Sequence, residues 1–323
     1  MRINMSHGGG GSVMAELIDT VFKRRLDNPL LRQGGDAAIL NLSGSTAFTT
    51  DSFVVQPLFF PGGNIGELAV CGTVNDLLTA GATPQYLSAA FVLEEGLEIE
   101  TLERVVDSMA RAAAEAGVSI VTGDTKVVEG RGDLIINTAG IGAVHPGHRP
   151  LPPQAGDAIL LSGTLGEHHA AILSARMGVE NDIRSDCAPL NSMVRSLLDA
   201  GVAIRAMRDA TRGGLGTVLH ELSHQYNAAL ELDASLPVSP AVRGFCSILG
   251  LDPLYMGNEG KMVFLVARED AQKALGLLRA SPYGENAAII GRVAQGCGAS
   301  IATALGGRRS IRPLAGEGLP RIC

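Results

Sequence analysis

Apolar residues recur at helical spacing through Met14, Leu17, Ile18, Val21 and Phe22, behind the run Gly8-Gly9-Gly10-Gly11-Ser12, so a helix is expected after a glycine-rich leader. Short alternating or β-branched runs at 37–42, 46–50 and 53–55 read as strands, the first two divided by a Ser43-Gly44 turn. Helical periodicity returns over 64–80, closed by Gly81 and followed by Pro84; Asn75-Asp76 breaks its apolar surface. Next come a strand at 86–93, an amphipathic helix at 100–116 ending on Gly117, and a strand at 118–121. That strand runs into an expected turn, Gly123-Asp124-Thr125-Lys126, and a strand at 134–144 closes the first half.

Residues 145–153 are rich in proline and lack apolar periodicity, which marks a linker. The second half opens with a strand at 158–161, a Ser162-Gly163-Thr164-Leu165-Gly166 turn and a helix to about 177. A helix at 190–198 leads to the Asp209–Gly214 turn and a further helix; strands at 229–232, 262–267 and 288–293 then alternate with helices at 240–249 and 270–279. Each half is therefore mixed α and β, with its helices expected on one face of a sheet. The fold class is α/β in the broad α+β sense, divided as 1–148, 149–311 and a tail, 312–323. In that tail Gly316-Glu317-Gly318 loosens the backbone and Pro320 blocks regular pairing, so Cys323 is expected to ride on a mobile tether.

Composition narrows the chemistry. A chain of 323 residues that is 46% hydrophobic can build two cores. A formal charge of −7 with only 4% aromatics disfavours nucleic acid as a partner. No apolar run reaches the length of a membrane span and none resembles a secretory signal, so a cytoplasmic protein without a membrane role is expected. Cys71, Cys187, Cys246, Cys297 and Cys323 are odd in number, widely spaced and without CxxC pairing, which argues against a disulfide framework or zinc site.

Asp36, Asp51, Asp76 and Asp124 flank expected strands or sit in polar gaps of apolar elements. Hard oxygen ligands at such positions suit Mg²⁺ carried on a nucleotide, although each alone is an ordinary turn or cap aspartate. The turns at 163–166 and 209–214 could present helix N-termini to phosphate, with Asp209 and Thr211 nearby and Arg212 as a charged donor; ordinary capping is the competing reading. Neither is a P-loop. His168-His169 point apart on a helix and are expected on the surface or at an interface. Lys126 and Glu259 read as loop residues, solvated by default or engaged in proton transfer beside a nucleotide.

Taken together, Thr50-Asp51-Ser52, Val74-Asn75-Asp76, Gly123-Asp124-Thr125-Lys126, Asp209-Ala210-Thr211-Arg212-Gly213-Gly214, Asn258-Glu259-Gly260 and the terminal Pro320-Arg321-Ile322-Cys323 resemble the hydrogenase-maturation carbamoyl dehydratases. These belong to the superfamily of aminoimidazole ribonucleotide synthetase, selenophosphate synthetase and thiamine monophosphate kinase. The resemblance runs end to end, and the terminal tetrapeptide is its most specific element. It implies two α/β domains, a homodimer joined through the N-terminal sheets, and Mg-ATP bound nearby. It further implies that a carbamoyltransferase, HypF, loads the terminal thiol. ATP-dependent dehydration then gives a protein thiocyanate, whose cyanide passes to iron on a HypC–HypD complex.

By the same resemblance, Cys323, Lys126 and Glu259 are the catalytic candidates. Asp51, Asn75, Asp76, Asp124, Thr125, Asp209, Thr211 and Arg212 would bind the nucleotide, and Asp36, Asp51, Asp76 and Asp124 the metal. Two other readings stay open: a superfamily enzyme that uses ATP on a free small molecule, and a nucleotide-controlled interaction module.

Overall fold

The computed structural model describes residues 1–33 and 37–313. Asp36 and Cys323, with the rest of 34–36 and 314–323, lie outside the described residues.

The glycine leader enters α1 (Gly11–Leu17), which continues as a wider helical turn over Ile18–Lys23. The first half then runs β1 (Thr46–Phe53), a small hairpin of β2 (Phe59–Phe60) and β3 (Gly63–Asn64), α2 (Ile65–Thr79), β4 (Ala82–Glu94), α3 (Ile99–Ala116), β5 (Ser119–Val128) and β6 (Leu134–Val144). Its main sheet has the order β1-β6-β4-β5, antiparallel except for the β4–β5 pair. Leu134, Ile136, Thr138 and Gly140 of β6 are buried while their neighbours are more open, so only one face of this sheet meets the core. α2 and α3 pack on that face.

α2 starts where the Asn64 side chain accepts the Gly66 N–H at 2.8 Å. It is buried on nearly every side, because the sheet lies on one flank and the second half of the chain on the other. α3 instead has one apolar stripe, Leu102, Val105, Val106 and Met109, and stops at Gly117, whose φ of +67° suits a residue without a Cβ.

The second half comprises β7 (Ala158–Leu161), α4 (Glu167–Met177), α5 (Asn191–Asp199), β8 (Ile204–Asp209), α6 (Gly214–Tyr226), β9 (Ala229–Leu232), α7 (Pro240–Leu249), β10 (Met262–Val266), α8 (Ala271–Ala280), β11 (Ala288–Ala294), β12 (Gly298–Ala302) and β13 (Arg308–Ile311). Its sheet runs β13-β12-β9-β11-β7-β10-β8. Every residue of β7 and β10 is buried. Helices cover both faces: Leu160, Phe264 and Met207 share a core with α5 and α8, whereas Ile159, Val263 and Leu265 pack with Leu215 and Leu219 of α6. One-face stacking holds for the first half and fails here, because continuous apolar strands need two partners.

Other local expectations change as well. Residues 37–42 form no strand, and 46–53 is one uninterrupted strand. The turn expected at 123–126 is instead part of β5, where Gly123 to Lys126 pair in parallel with Ala89 to Val92 of β4. Residues 298–302 and 308–311 add two strands that the sequence pattern did not suggest.

Asn75 fastens the halves together. From within α2 its side-chain amide donates to the carbonyls of Ala188 at 3.0 Å and Glu259 at 3.2 Å, and its oxygen accepts the Leu190 N–H at 3.0 Å. Asn75→Ala strands three backbone groups at a buried junction. Thermal or urea denaturation should show a loss of about 2–4 kcal/mol.

Candidate active site

The junction of the two sheets holds a cavity of about 420 Å³ lined by Asp51, Asp76, Asp209 and Glu259, with Arg208, Thr211 and Arg212 at its margin. β1 delivers Asp51. Its register partner Thr138 pairs in turn with Ala89, both on the helix-covered face, so Asp51 points toward α2. α2 supplies Asp76, whose Oδ2 accepts the Thr49 hydroxyl at 2.9 Å. The end of β8 supplies Asp209, whose Oδ2 accepts the Thr211 hydroxyl at 2.7 Å. Arg212 is the exposed cation over this rim, with its guanidinium 3.5 Å from Asp51 Oδ1.

Concentrated negative charge sets the electrostatics. Burial, followed by the neighbouring Asp209 and Asp51 charges, pushes the Asp76 carboxyl up to about 6 despite the Thr49 hydrogen bond. Ionised Asp76 therefore costs native stability. Its protonated form is favoured in the fold, so the penalty is absent below about pH 4 and complete above about pH 6. Asp76→Asn should stabilise the fold at pH 7 by on the order of 2–3 kcal/mol, seen as a raised Tm, and this gain should vanish at pH 4; melting curves without nucleotide at the two pH values test this.

Glu259 sits in the Asn258-Glu259-Gly260 loop ahead of β10, and the expectation of a solvated loop residue is corrected: it is 5% exposed. Burial raises its carboxyl well above the usual range, and the charges of Asp186, Asp209, Asp51 and Asp76 add to this. The loop is held by the Asn258 side chain, which accepts the Gly166 N–H at 2.7 Å and donates to the carbonyls of Ala210 and Met256. The 163–166 turn is thereby tied to the site loop. At Gly72 on α2 a Cβ would come within 2.9 Å of the Phe53 ring, so the missing side chain gives that ring its space, whereas Glu259 Oε2 at 3.9 Å would be in ordinary contact.

Asp124, Thr125 and Lys126 separate from this cluster. On β5, Asp124 pairs with Ala90 of β4, and Lys126 two residues on is also exposed, so both project from the outer face of the sheet. Lys126 Nζ donates to Asp124 Oδ1 at 2.9 Å, and this contact holds the Asp124 carboxyl below its usual range. Asp51 and Asp124 lie at opposite edges of a four-stranded sheet, roughly 14 Å apart at three strand spacings. Lys126 is consequently a strand residue, not a loop residue. Thr125 is buried on the inner face; it and Asp124 border a second cavity, of about 280 Å³, closed by Met14, Ile18 and Phe22.

His168 and His169 are buried rather than on the surface, with burial pushing each down to about 4. His168 stands edge-on to Phe60 at 5.4 Å and shares a 2.8 Å hydrogen bond with Ser185. Sequence reading passed over Arg208, Thr49, Asp186 and Lys261. Only Lys261 carried a local signal, as a charge heading a wholly apolar strand.

This pair of sheets with a carboxylate-lined junction matches a known class. Residues 34–144 match the N-terminal domain of AIR synthase related proteins and residues 154–303 match their C-terminal domain, so the chain is a member of that class. Carbamoyl dehydratase HypE of Escherichia coli (strain K12) is 48% identical over 100% of this chain and 99% of its own length. A crystal structure of the hydrogenase maturation protein HypE in complex with ATP superposes with a TM-score of 0.95 at 48% identity, covering 99% of each chain. A further structure, of a HypE–HypF complex, matches with a TM-score of 0.81 at 45% identity over 92% of this chain and 99% of that one. The chain belongs to the HypE family.

Proposed function

We propose that this chain is an ATP-dependent carbamoyl dehydratase of hydrogenase maturation, converting a carbamoyl group on the Cys323 thiol to a thiocyanate that supplies cyanide for [NiFe] hydrogenase iron. The observation that carries the reading is the meeting of Asp51, Asp76, Asp209 and Glu259 in one cavity of a chain that belongs to the HypE family.

The amide oxygen of a thiocarbamate is a poor leaving group, and ATP supplies the phosphoryl group that makes it a good one. Two protons must also leave the nitrogen before S–C≡N remains. Glu259, whose proton affinity burial raises above the ordinary carboxylate range, is suited to take one in its ionised form. Arg212 and Thr211 at the rim are placed to hold phosphate oxygens.

The donor set fits Mg²⁺. Burial raises Asp76, the charges of Asp209 and Asp51 add to this, and a divalent cation would relieve that charge excess. Among the described residues no three His, Cys, Asp or Glu side chains could cage an ion alone. Mg²⁺ on a nucleotide needs only one or two carboxylates, the rest of its shell being phosphate and water, and it would screen the phosphate charge. Asp51 and Asp76 would hold it, with Asp36 and Asp124 as the further metal candidates.

Phe48 and Ile135 are exposed on the outer face of the first sheet, with Val128 beyond them. Such a face favours a homodimer joined through these sheets, with residues 1–148 as the ATP-binding and dimerisation domain and 149–311 as the second domain. Asp124 and Lys126 lie on that face, so in a dimer they serve a site shared between protomers. HypF loads Cys323, and the HypC–HypD complex receives the cyanide. Among the described residues no helix is long and apolar enough to cross a membrane, and the cytoplasm is the compartment proposed for these partners.

Phosphate release tests the reaction. Carbamoylated chain should release about one phosphate per thiocyanate formed. Equal release by the unloaded chain would contradict the proposal.

A further inference from the structure

Glu259 lies in a short loop, yet it must present its carboxylate at a fixed place. Both oxygens of Asp186 are spent on that loop: Oδ1 accepts the Glu259 N–H at 3.1 Å and Oδ2 the Gly260 N–H at 3.3 Å. The ammonium of Lys261 closes on Oδ2 at 3.1 Å, and the two side chains are 4% and 9% exposed. Three consecutive residues, 259 to 261, thus converge on one buried carboxylate. The approach is close enough that a Cβ on Gly260 would fall 1.8 Å from the Asp186 carbonyl oxygen.

Asp186 is itself anchored. The Ser185 N–H donates to the Pro61 carbonyl at 2.7 Å, and the Ser185 hydroxyl accepts the Cys187 N–H at 3.1 Å while sharing a hydrogen bond with His168. Two residues beyond Asp186, the Ala188 carbonyl accepts from Asn75, which also holds the Glu259 carbonyl. Burial works to raise the Asp186 carboxyl, but the Lys261 ammonium, His168 and the Glu259 N–H outweigh it, and the group stays ionised.

We infer that Asp186 is the positioning residue for Glu259, fixing its backbone through paired amide hydrogen bonds and a buried ion pair with Lys261. The inference rests on the proton-accepting role given to Glu259 above. Only an ionised carboxylate offers acceptors to both amides and the ammonium at once. An amide at 186 must turn its NH₂ against one of those donors, so Asp186→Asn releases the loop while nearly preserving volume.

A double-mutant cycle of Asp186→Asn and Glu259→Gln tests it, on carbamoylated full-length chain at saturating ATP, with thiocyanate formation, ATP affinity and Tm measured for each variant. Asp186→Asn should lower the rate about tenfold to a hundredfold, the loss expected when a reacting group shifts by about 1 Å, with ATP affinity unchanged within about twofold. In the Glu259→Gln background it should cost no further rate, because its effect passes through the missing carboxylate. Multiplying losses, or an Asp186→Asn variant as fast as the parent beside an inactive Glu259→Gln, overturn the inference alone. A fully active Glu259→Gln overturns the role of Glu259 and this inference with it. If Asp186→Asn does not fold, Asp186→Asn with Lys261→Met leaves no buried charge unpaired and must show the same non-additive loss.

Discussion

Cys323→Ser should bind ATP as the parent does and form no detectable thiocyanate. The carbamoyl carrier must be a good nucleophile that also releases its cargo. A thiol of ordinary pKa near ~8.5 is partly ionised around neutrality, whereas a serine hydroxyl is not. Among the described residues the acidic cavity is lined by residues from 50–76 and 208–259, so nucleotide affinity and Tm should match the parent. Nucleotide titration beside an assay of HypF-dependent loading separates the two effects. Weakened ATP binding would make the tail part of the nucleotide site rather than a substrate arm.

Glu259→Gln is the second large effect. Removing the proton acceptor should cost about 10²–10⁴-fold in the dehydration step while leaving HypF-dependent carbamoylation of Cys323 intact. Its pH behaviour is distinctive. The base works ionised, so the parent rate should rise with pH through a limb above the ordinary carboxylate range, where burial and then the Asp186, Asp209, Asp51 and Asp76 charges hold Glu259. Glutamine at 259 should lack that limb.

Stability should move the other way. A carboxyl whose folded pKa is raised binds its proton more tightly in the native state, so the fold loses stability as pH climbs from the ordinary carboxylate value to the raised one. Glu259→Gln should therefore melt higher than the parent at neutral and alkaline pH, with the difference disappearing in acid. A variant at once more stable and inactive marks a residue kept for chemistry. A Tm that falls at every pH would assign Glu259 to the architecture of the loop instead.

Much of the fold was legible along the chain because its elements obey local rules. The strand at 134–144 and the helix ending on Gly117 appear where alternation and a glycine stop place them. The segment 123–126 was not legible, because Gly-Asp is a turn signal in isolation and is overridden by parallel pairing with β4. The burial of His168 and His169 was hidden for the opposite reason: no local pattern announces that α4 lies between the 185–187 segment and the site loop.

The candidate site was legible only in parts. Asp51, Asp76 and Glu259 stood out as acidic residues in apolar or turn settings, yet their meeting depends on α2 carrying the second half of the chain against the first sheet. The same folding sends Asp124 and Lys126 to the outer face, a division that strand register decides and linear spacing does not. Asp186 has no sequence signature, since its function lies in backbone amides more than seventy positions away.

The most direct test is mass spectrometry of the C-terminal peptide after incubation of the full-length chain with HypF, carbamoyl phosphate and ATP, followed by isolation of the loaded chain and a second incubation with or without ATP. The account predicts a carbamoyl adduct on Cys323 that persists without ATP and loses the elements of water to become a thiocyanate when ATP is restored. An unmodified Cys323 in a demonstrably active mixture would contradict it.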